Sequence, residues 1–376
     1  MSRELTRPMM FRPALKDKIW GGQRLGRMYH LAETHRSIGE AWLVEESLCA
    51  TGGAYPGHTL HEIVNLEASA ILGARGLAAG CSSVTQVCHF PLLIKLLDAA
   101  DVLSVQVHPD DTYAQRREGQ PFGKCEAWLV LEAEPGAKII HGFKSRLSRD
   151  ELRDLIEHNR LAEVLQEVEV KPGDVVLNTP GTVHALGAGL LVYELQQFSD
   201  LTYRLYDWGR LEAGRPRTLH IDQSLDVADL EPLSQHQIEP VTVQEVGVTR
   251  AYMVATPYFA GELLTIEGVS TEDTRAATFH IVTALRGEGS VTYTEDGHNH
   301  DLNLSAGESI VVPACLGRYH LVATHQPWIV AKAYVPDLLA DIAQPLLARG
   351  VAPSSIAQLG GDGDRSALRR LLATQQ

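Results

Sequence analysis

Two distant stretches of this chain repeat one pattern. "VKPGDVVLNTPGTVHAL" (170–186) and "LSAGESIVVPACLGRYHLV" (304–322) both pass from an apolar residue through Pro or Ala, Gly and an acid into an apolar strand, then Pro, a turn and a histidine. Internal self-similarity of this kind marks a duplicated structural unit. The unit is a β unit. "EAWLV" (40–44), "PLLIKLL" (91–97), "LSVQVH" (103–108), "EAWLVLEA" (126–133), "AKIIHGF" (137–143), "DVVLNTP" (174–180), "TVHAL" (182–186) and "LLVYELQQF" (190–198) are short runs bounded by Gly, Pro or Asp. Short strands at this spacing predict a sandwich or barrel. A second block of strands runs from Ala251 to Pro336. The expected architecture is therefore mainly β: two β-barrels with inserted helices.

Two segments predict helix. "LHEIVNLEASAILGAR" (60–75) has apolar residues at helical spacing. "SRDELRDLIEHNRLAEVLQEV" (148–168) opens with Ser148 as N-cap and Glu151 three residues on, a capping box. The expected domains are 1–220, a first barrel with helical insertions; 221–250, a polar connector; 251–336, a second, degenerate barrel; and 337–376, a helical and flexible tail. In that tail "GGDGD" (360–364) reads as a hinge before a loosely held helix or one that docks a partner.

With 376 residues, 44% of them hydrophobic, the chain has material for a large core. Its net charge of −14 argues against nucleic-acid binding, which needs a basic face. "PLLIKLLDAADVL" (91–103), the longest apolar stretch, is interrupted by Lys95, Asp98 and Asp101, so it cannot span a bilayer. Five scattered cysteines without a CxxC pair read as free thiols in a reducing compartment. These features predict a cytoplasmic protein.

The chemistry gathers at strand ends. In "LSVQVHPDD" (103–111), alternation along a strand puts Gln106 and His108 on one face and Val105 and Val107 on the other. Pro109 ends the strand. Lys124 and Glu126 are again two apart, and His184 follows the turn in "PGTVHALG" (180–187). Two imidazoles, a carboxylate and an amide carbonyl are donors for zinc or a similar divalent ion. On spacing alone, a metal site and a set of separate structural residues both remain open. In "YELQQFSDLTYRLYDWGR" (193–210), Glu194 and Gln196 share a face. Arg204 is either a fork for an anionic substrate or a structural partner of Asp200 or Asp207. "HNH" (298–300), between "EDG" and Asp301, reads as a solvated hairpin loop.

Taken together, "PALKDKIWGG" (13–22), "GEAW" (39–42), "PLLIKLLDAADVLSVQVHPDD" (91–111), "GKCEAWLVLEAEPGA" (123–137) and "PGTVHALGAGLLVYELQQFSDLTYRLYDWGR" (180–210) resemble the short bacterial form of the type I mannose-6-phosphate isomerases. The resemblance covers most of the first 210 residues in order and fades beyond residue 250. It implies a double cupin, that is, two jelly-roll barrels, and a zinc-dependent aldose–ketose isomerase carrying one divalent ion per chain. The family's metal ligands fall on Gln106, His108, Glu126 and His184, and its catalytic arginine on Arg204. Ser104, Lys124, Glu194 and Trp20 fall on positions that line the substrate pocket. The implied substrates are mannose 6-phosphate and fructose 6-phosphate, interconverted through a cis-enediolate by a monomer or homodimer. One departure stands out: Asn178 and Thr179 replace the usual apolar or aromatic pair before Pro180. Alternatives are a related sugar isomerase, an iron-dependent cupin oxygenase, or a non-catalytic sugar-binding cupin.

Overall fold

A computed structural model describes residues 7–30, 36–81, 87–212, 214–361 and 366–374 of the chain. The structure is mainly β. An outer sheet of five strands runs in the order Tyr203–Tyr206, Val105–Val107, His184–Leu186, Lys138–Phe143, Leu165–Glu169. It faces a sheet of six: Val175–Asn178, Glu126–Ala133, Leu190–Gln197, Leu92–Ala99, Ala14–Gly22, Ile38–Val44. Trp20, Leu97, Trp128, Ile139, Leu186 and Val192 form a core cluster to which both sheets contribute.

The second unit repeats this plan. An eight-stranded sheet, from Val241–Glu245 to Ala50–Gly53, shares a core with a four-stranded sheet of Val269–Asp273, Arg318–Ala323, Glu288–Glu295 and His298–Ser305. The two large sheets contribute their remaining faces to one further core, which holds Ile94, Leu96, Leu129 and Leu195 with Val254, Ile281, Val311 and Ala333. Strands of the large sheets in that contact are thus buried on both faces, once for each core. Continuous runs such as "PLLIKLL" (91–97) follow from burial on both faces. N-terminal residues join the second unit: Met9–Phe11 pairs with Ser309–Val312 in the eight-stranded sheet.

The two echoed segments occupy equivalent places. In each, the first strand lies in the large sheet of its unit and the second in the small one: Val175–Asn178 with His184–Leu186, and Ser309–Val312 with Arg318–Ala323.

Helices cover what the sheets leave open. Val105 and Val107 face outward, into a cluster with Leu152, Leu155 and Ile156 of helix Arg149–Glu157 and Leu225 of helix Ile221–Val227. The capping box of Ser148 and Glu151 is formed. The helix ends earlier than its apolar stripe predicts. Asn159 takes a positive φ of 56°, and the Arg160 N–H reaches back to the Leu155 carbonyl, a stop of the Schellman type. Residues 165–169 then form a strand rather than a last helical turn. Helix Leu60–Gly80 runs past the expected end, with non-helical backbone at Glu67 and Gly73.

Four expectations need correction. The polar stretch 221–250 is more than a connector, since it holds a packed helix and the strands Val241–Glu245 and Val248–Ala255. The tail is not loosely held: Leu368 and Leu372 of the last helix, Ala367–Ala373, are buried in the largest core with Ile342, Leu346 and Ile356. The "GGDGD" hinge lies from residue 362 on outside the described residues. "HNH" begins an edge strand, His298–Ser305, with all three residues exposed, so it is solvated but not a loop. Finally, Cys81 and Cys88 are joined in a disulfide, whereas Cys49, Cys125 and Cys315 form none. An antiparallel bridge between the two residues brings their Cα atoms to 4.3 Å, a proximity that a spacing of seven does not announce.

No helix among the described residues is long and apolar enough to cross a membrane. If the last helix is part of the core, truncating it inside must leave a cavity. Leu368→Ala should cost about 2–5 kcal/mol of unfolding free energy. Denaturant titration measures this, and a cost near zero would mean a loosely held helix after all.

Candidate metal centre

Register puts the expected ligands on facing walls. In the five-stranded sheet Gln106 lies directly opposite His184 on one side and Arg204 on the other. Directly opposite residues of an antiparallel pair point to the same face. In the six-stranded sheet Glu126 lies opposite Gln196 and Asn178, and Glu194 opposite Lys95 and Trp128. Glu126, Trp128, Glu194 and Gln196 alternate with Ala127, Leu129 and Leu195, which sit in the core shared by the large sheets. The polar set therefore looks into the first unit from both sheets.

His184 is delivered by a tight turn. Pro180 and Gly181 occupy its centre, Gly181 has φ +88°, and the Thr182 N–H bonds the Thr179 carbonyl. Pro followed by a residue of positive φ is the type II pattern, for which Gly is suited. The Gly181 N–H also donates to the His108 carbonyl at 2.9 Å, so the turn is fastened to the neighbouring ligand strand.

The distances are short. His184 Nε2 is 3.0 Å from Glu126 Oε1, and His108 Nε2 is 3.4 Å from Oε2. Gln106 Nε2 is 3.3 Å from His184 Nε2. Glu126 and His184 are fully buried, and His108 nearly so. The two rings are held from behind. His108 Nδ1 lies 2.9 Å from the Leu201 carbonyl and His184 Nδ1 2.9 Å from that of Thr182. Each carbonyl fixes the proton on Nδ1 and leaves the Nε2 lone pair aimed at the carboxylate. His108 Nε2 is buried without a hydrogen-bond partner. An orphaned nitrogen beside a second imidazole and a carboxylate fits a cation, because the cation supplies the missing partner.

Charge in the cluster is strongly biased. Burial pushes the His108 imidazolium down to about 3, with Lys124 adding to the effect, so the ring is neutral at ordinary pH. Burial of Glu126 alone would raise its carboxyl, but Lys124, His184 and His108 outweigh it and hold it well below the usual range. Lys124 Nζ is 2.8 Å from Glu126 Oε2. Burial opposes its charge, yet Glu126 and Glu194 keep it above the usual lysine range. Neutral imidazoles and an ionised carboxylate are the protonation states a metal requires.

The other expected residues take varied positions. Glu194 is buried, its Oε2 3.3 Å from Lys95 and its Oε1 accepting the Trp128 indole N–H at 3.0 Å. Desolvation pushes its carboxyl up. Arg204 donates to the Thr218 carbonyl at 2.9 Å and buries an unpartnered Nε. Among the described residues it has no ion pair. Asp207, a suggested partner, is bound instead by Arg210 and Arg217. Ser104 is buried next to the Gln106 strand, and Trp20 is buried in the core between the sheets.

Sequence reading missed three supports. Asn178 donates to Glu126 Oε1 at 3.3 Å, so the departure from the family pattern reaches the carboxylate itself. Lys95 and Trp128 clamp Glu194; their only sequence signal is a lysine and a tryptophan inside apolar strands. Outer partners of ligands tune metal affinity about 10–100-fold. Asn178→Ala should weaken divalent-ion affinity by about that factor, measured by competition with a chromophoric chelator; unchanged affinity would detach Asn178 from the site.

Comparisons with known proteins bear on this geometry. Residues 9–124 match the family model described as phosphomannose isomerase type I, catalytic domain. A mannose-6-phosphate isomerase of Streptococcus mutans is 33% identical over 333 residues, covering 85% of this chain and 99% of its own. The crystal structure of the mannose 6-phosphate isomerase from Bacillus subtilis superposes with a TM-score of 0.75 at 30% identity, covering 87% of this chain and 99% of that one. A zinc-bound crystal structure of a mannose 6-phosphate isomerase, 16% identical, shares the fold at a TM-score of 0.67, over 88% of this chain and 99% of its own. By likeness along nearly the whole length of its relatives, the chain belongs to the type I phosphomannose isomerase family.

Proposed function

We propose that this chain is a metal-dependent isomerase that interconverts mannose 6-phosphate and fructose 6-phosphate through a cis-enediolate. The observation that carries the reading is the buried His108–Glu126–His184 cluster with Gln106 at its edge, on the inner face of the first unit. Gln106, His108, Glu126 and His184 would hold one divalent ion, and zinc suits these nitrogen and oxygen donors. Zinc is also what the distant relative of the same fold binds. When bound, such an ion supplies Lewis-acid stabilisation of the paired enediolate oxygens.

The remaining work falls to side chains. Lys124 stays a cation beside Glu126, so it serves as a charge partner for substrate oxygens and not as a base. Glu194 is the interior carboxylate not committed to the imidazoles. Burial raises its carboxyl, and a carboxyl raised toward neutrality suits a group that must both take and return a proton. It therefore moves the proton between C2 and C1. Arg204, beside Gln106 on the five-stranded sheet and without an ion pair among the described residues, stabilises negative charge as it develops. Without a P-loop motif in the sequence, the phosphate is held by side-chain charges and hydroxyls, with Ser104 and Lys124 at hand. Trp20 walls the pocket.

The same reading gives a small sugar phosphate as partner and no role with nucleic acid, whose phosphates a net charge of −14 repels. It also places a monomer or homodimer in the cytoplasm, where a charged sugar phosphate is retained.

A coupled assay with mannose 6-phosphate should show activity that falls with a strong chelator and returns with zinc. Full activity after verified removal of the metal would end the proposal. Arg204→Ala and Glu194→Gln should each keep the metal while kcat falls about 10²–10³-fold. Turnover at the parent rate would return Arg204 to a structural role and Glu194 to a bystander.

A further inference from the structure

A second group of ligand-type side chains lies away from the first. Glu46, His61 and His89 place ligand atoms within 4.8 Å of one another. They come from three segments. Glu46 follows strand Ile38–Val44, His61 lies in the first turn of helix Leu60–Gly80, and His89 precedes strand Leu92–Ala99. Backbone bonds fasten the segments. The His61 N–H donates to the Glu46 carbonyl at 2.9 Å, and the His89 N–H to the Gly80 carbonyl at 3.0 Å.

The carboxylate is aimed. Its Oε1 accepts the Phe90 N–H at 2.6 Å, which turns Oε2 toward both rings. His89 Nδ1 is 3.0 Å from Oε2 and His61 Nδ1 is 3.3 Å from it. Two imidazoles thus converge on one oxygen of a buried carboxylate. The His89 ring stacks on Phe198 at 5.7 Å between centroids and meets the edge of Phe122 at 5.9 Å. Those aromatic walls fix the ring and exclude water on its side. The opposite side is open, because the His61 side chain is 43% exposed.

We propose that Glu46, His61 and His89 form a second divalent-metal site, which takes zinc through two imidazole nitrogens and one carboxylate oxygen. The site is independent of the isomerase reading, and solvent completes its coordination through the open side. Nitrogen donors favour zinc over calcium or magnesium, which prefer all-oxygen sites. Binding requires each ring to carry its proton on Nε2, leaving the Nδ1 lone pair for the ion. Asn65 Nδ2 lies 3.4 Å from His61 Nε2 and donates to the His61 and Cys88 carbonyls, so ion binding requires the His61 Nε2–H to turn away from that amide.

The position gives the ion a structural task. Phe198 leads to Leu201, whose carbonyl faces His108 Nδ1. Phe122 lies two residues before Lys124, and its carbonyl accepts the Ser199 hydroxyl at 3.2 Å. An ion that fixes His89 therefore stiffens the aromatic wall behind two parts of the first site without touching substrate.

The test is a zinc count on the full-length protein, equilibrated with micromolar zinc and freed of loose metal, for the parent and for His61→Ala. The His61 side chain is partly exposed, so its loss should leave the fold intact, which circular dichroism checks. Two zinc ions per chain in the parent and one in the variant are expected. One in both, or two in both, would overturn the second site. One in the parent and none in the variant would support this site and remove the ion from His108, Glu126 and His184, so the two readings fail separately.

Discussion

A fully buried carboxylate holds the first unit to its chemistry. Glu126 carries its charge at zero exposure, where an unpaired carboxylate is costly by several kcal/mol. Four groups converge to make the charge tolerable: Lys124, His184, His108 and Asn178. They come from both sheets and from the loops that join them, so the charge can be satisfied only when the two sheets are correctly registered. A slip by one residue in the Glu126 strand would turn Glu126 into the apolar contact between the large sheets and Ala127 into the polar interior. The same alternation that builds the core therefore sets the position of the reactive groups.

The legible part of this arrangement was its periodicity. Alternation alone placed Gln106 and His108 on one face and Val105 and Val107 on the other, and the Pro180–Gly181 turn announced a constrained approach to His184. Which segments meet at the site was not legible from spacing, because it depends on which strands pair across more than 70 residues of sequence, as those of Gln106 and His184 do. The resemblance filled that gap. It could not explain Asn178, which looks like a loss of apolar wall in the sequence and proves to be a hydrogen-bond donor to Glu126. The tail misled for a related reason. Composition made "GGDGD" look like a release point, yet burial of Leu368 and Leu372 is a tertiary fact about a short helix with no long apolar stripe to advertise it. The disulfide of Cys81 and Cys88 was invisible in the same way, since scattered cysteines carry no pairing information.

Comparison of the two units shows how a duplicated frame can diverge in chemistry. In the first, Glu126 opens its strand with Asn178 directly opposite, and Glu194 faces Lys95 across the next pair. In the second, His280 opens the corresponding strand with Val312 opposite, and Lys332 faces Glu262. The carboxylate has become an imidazole, its hydrogen-bond donor has become a methyl-bearing wall, and the lysine–glutamate pair has exchanged strands. The second interior then closes on itself. Lys332 contacts Glu262 at 3.0 Å, Arg250 bonds Glu272 at 2.7 Å, and Tyr334 donates to Glu262 at 2.6 Å. His280 is neutralised by burial, its pKa pushed down to about 3, and its Nδ1 is taken up by the Tyr319 hydroxyl at 2.8 Å.

That contrast identifies what a cation site in this frame requires. Both interiors bury a histidine, an acid and a lysine, so residue types alone do not distinguish them. In the first unit the imidazoles are bonded from behind by backbone carbonyls, which leaves Nε2 of both directed at one carboxylate. In the second unit each acid is matched by an internal cation, Glu262 by Lys332 and Arg250 and Glu272 by Arg250 and Lys332, and a divalent ion would have to displace an ammonium or a guanidinium to enter. In the first, Lys124 is the cation at Glu126 while Lys95 is engaged by Glu194, and the Nε2 atoms of His108, kept neutral by burial, and of His184 point at the Glu126 carboxylate. The difference between the two interiors thus follows from where protein cations already stand, and from an imidazole nitrogen, His108 Nε2, that is left without a partner.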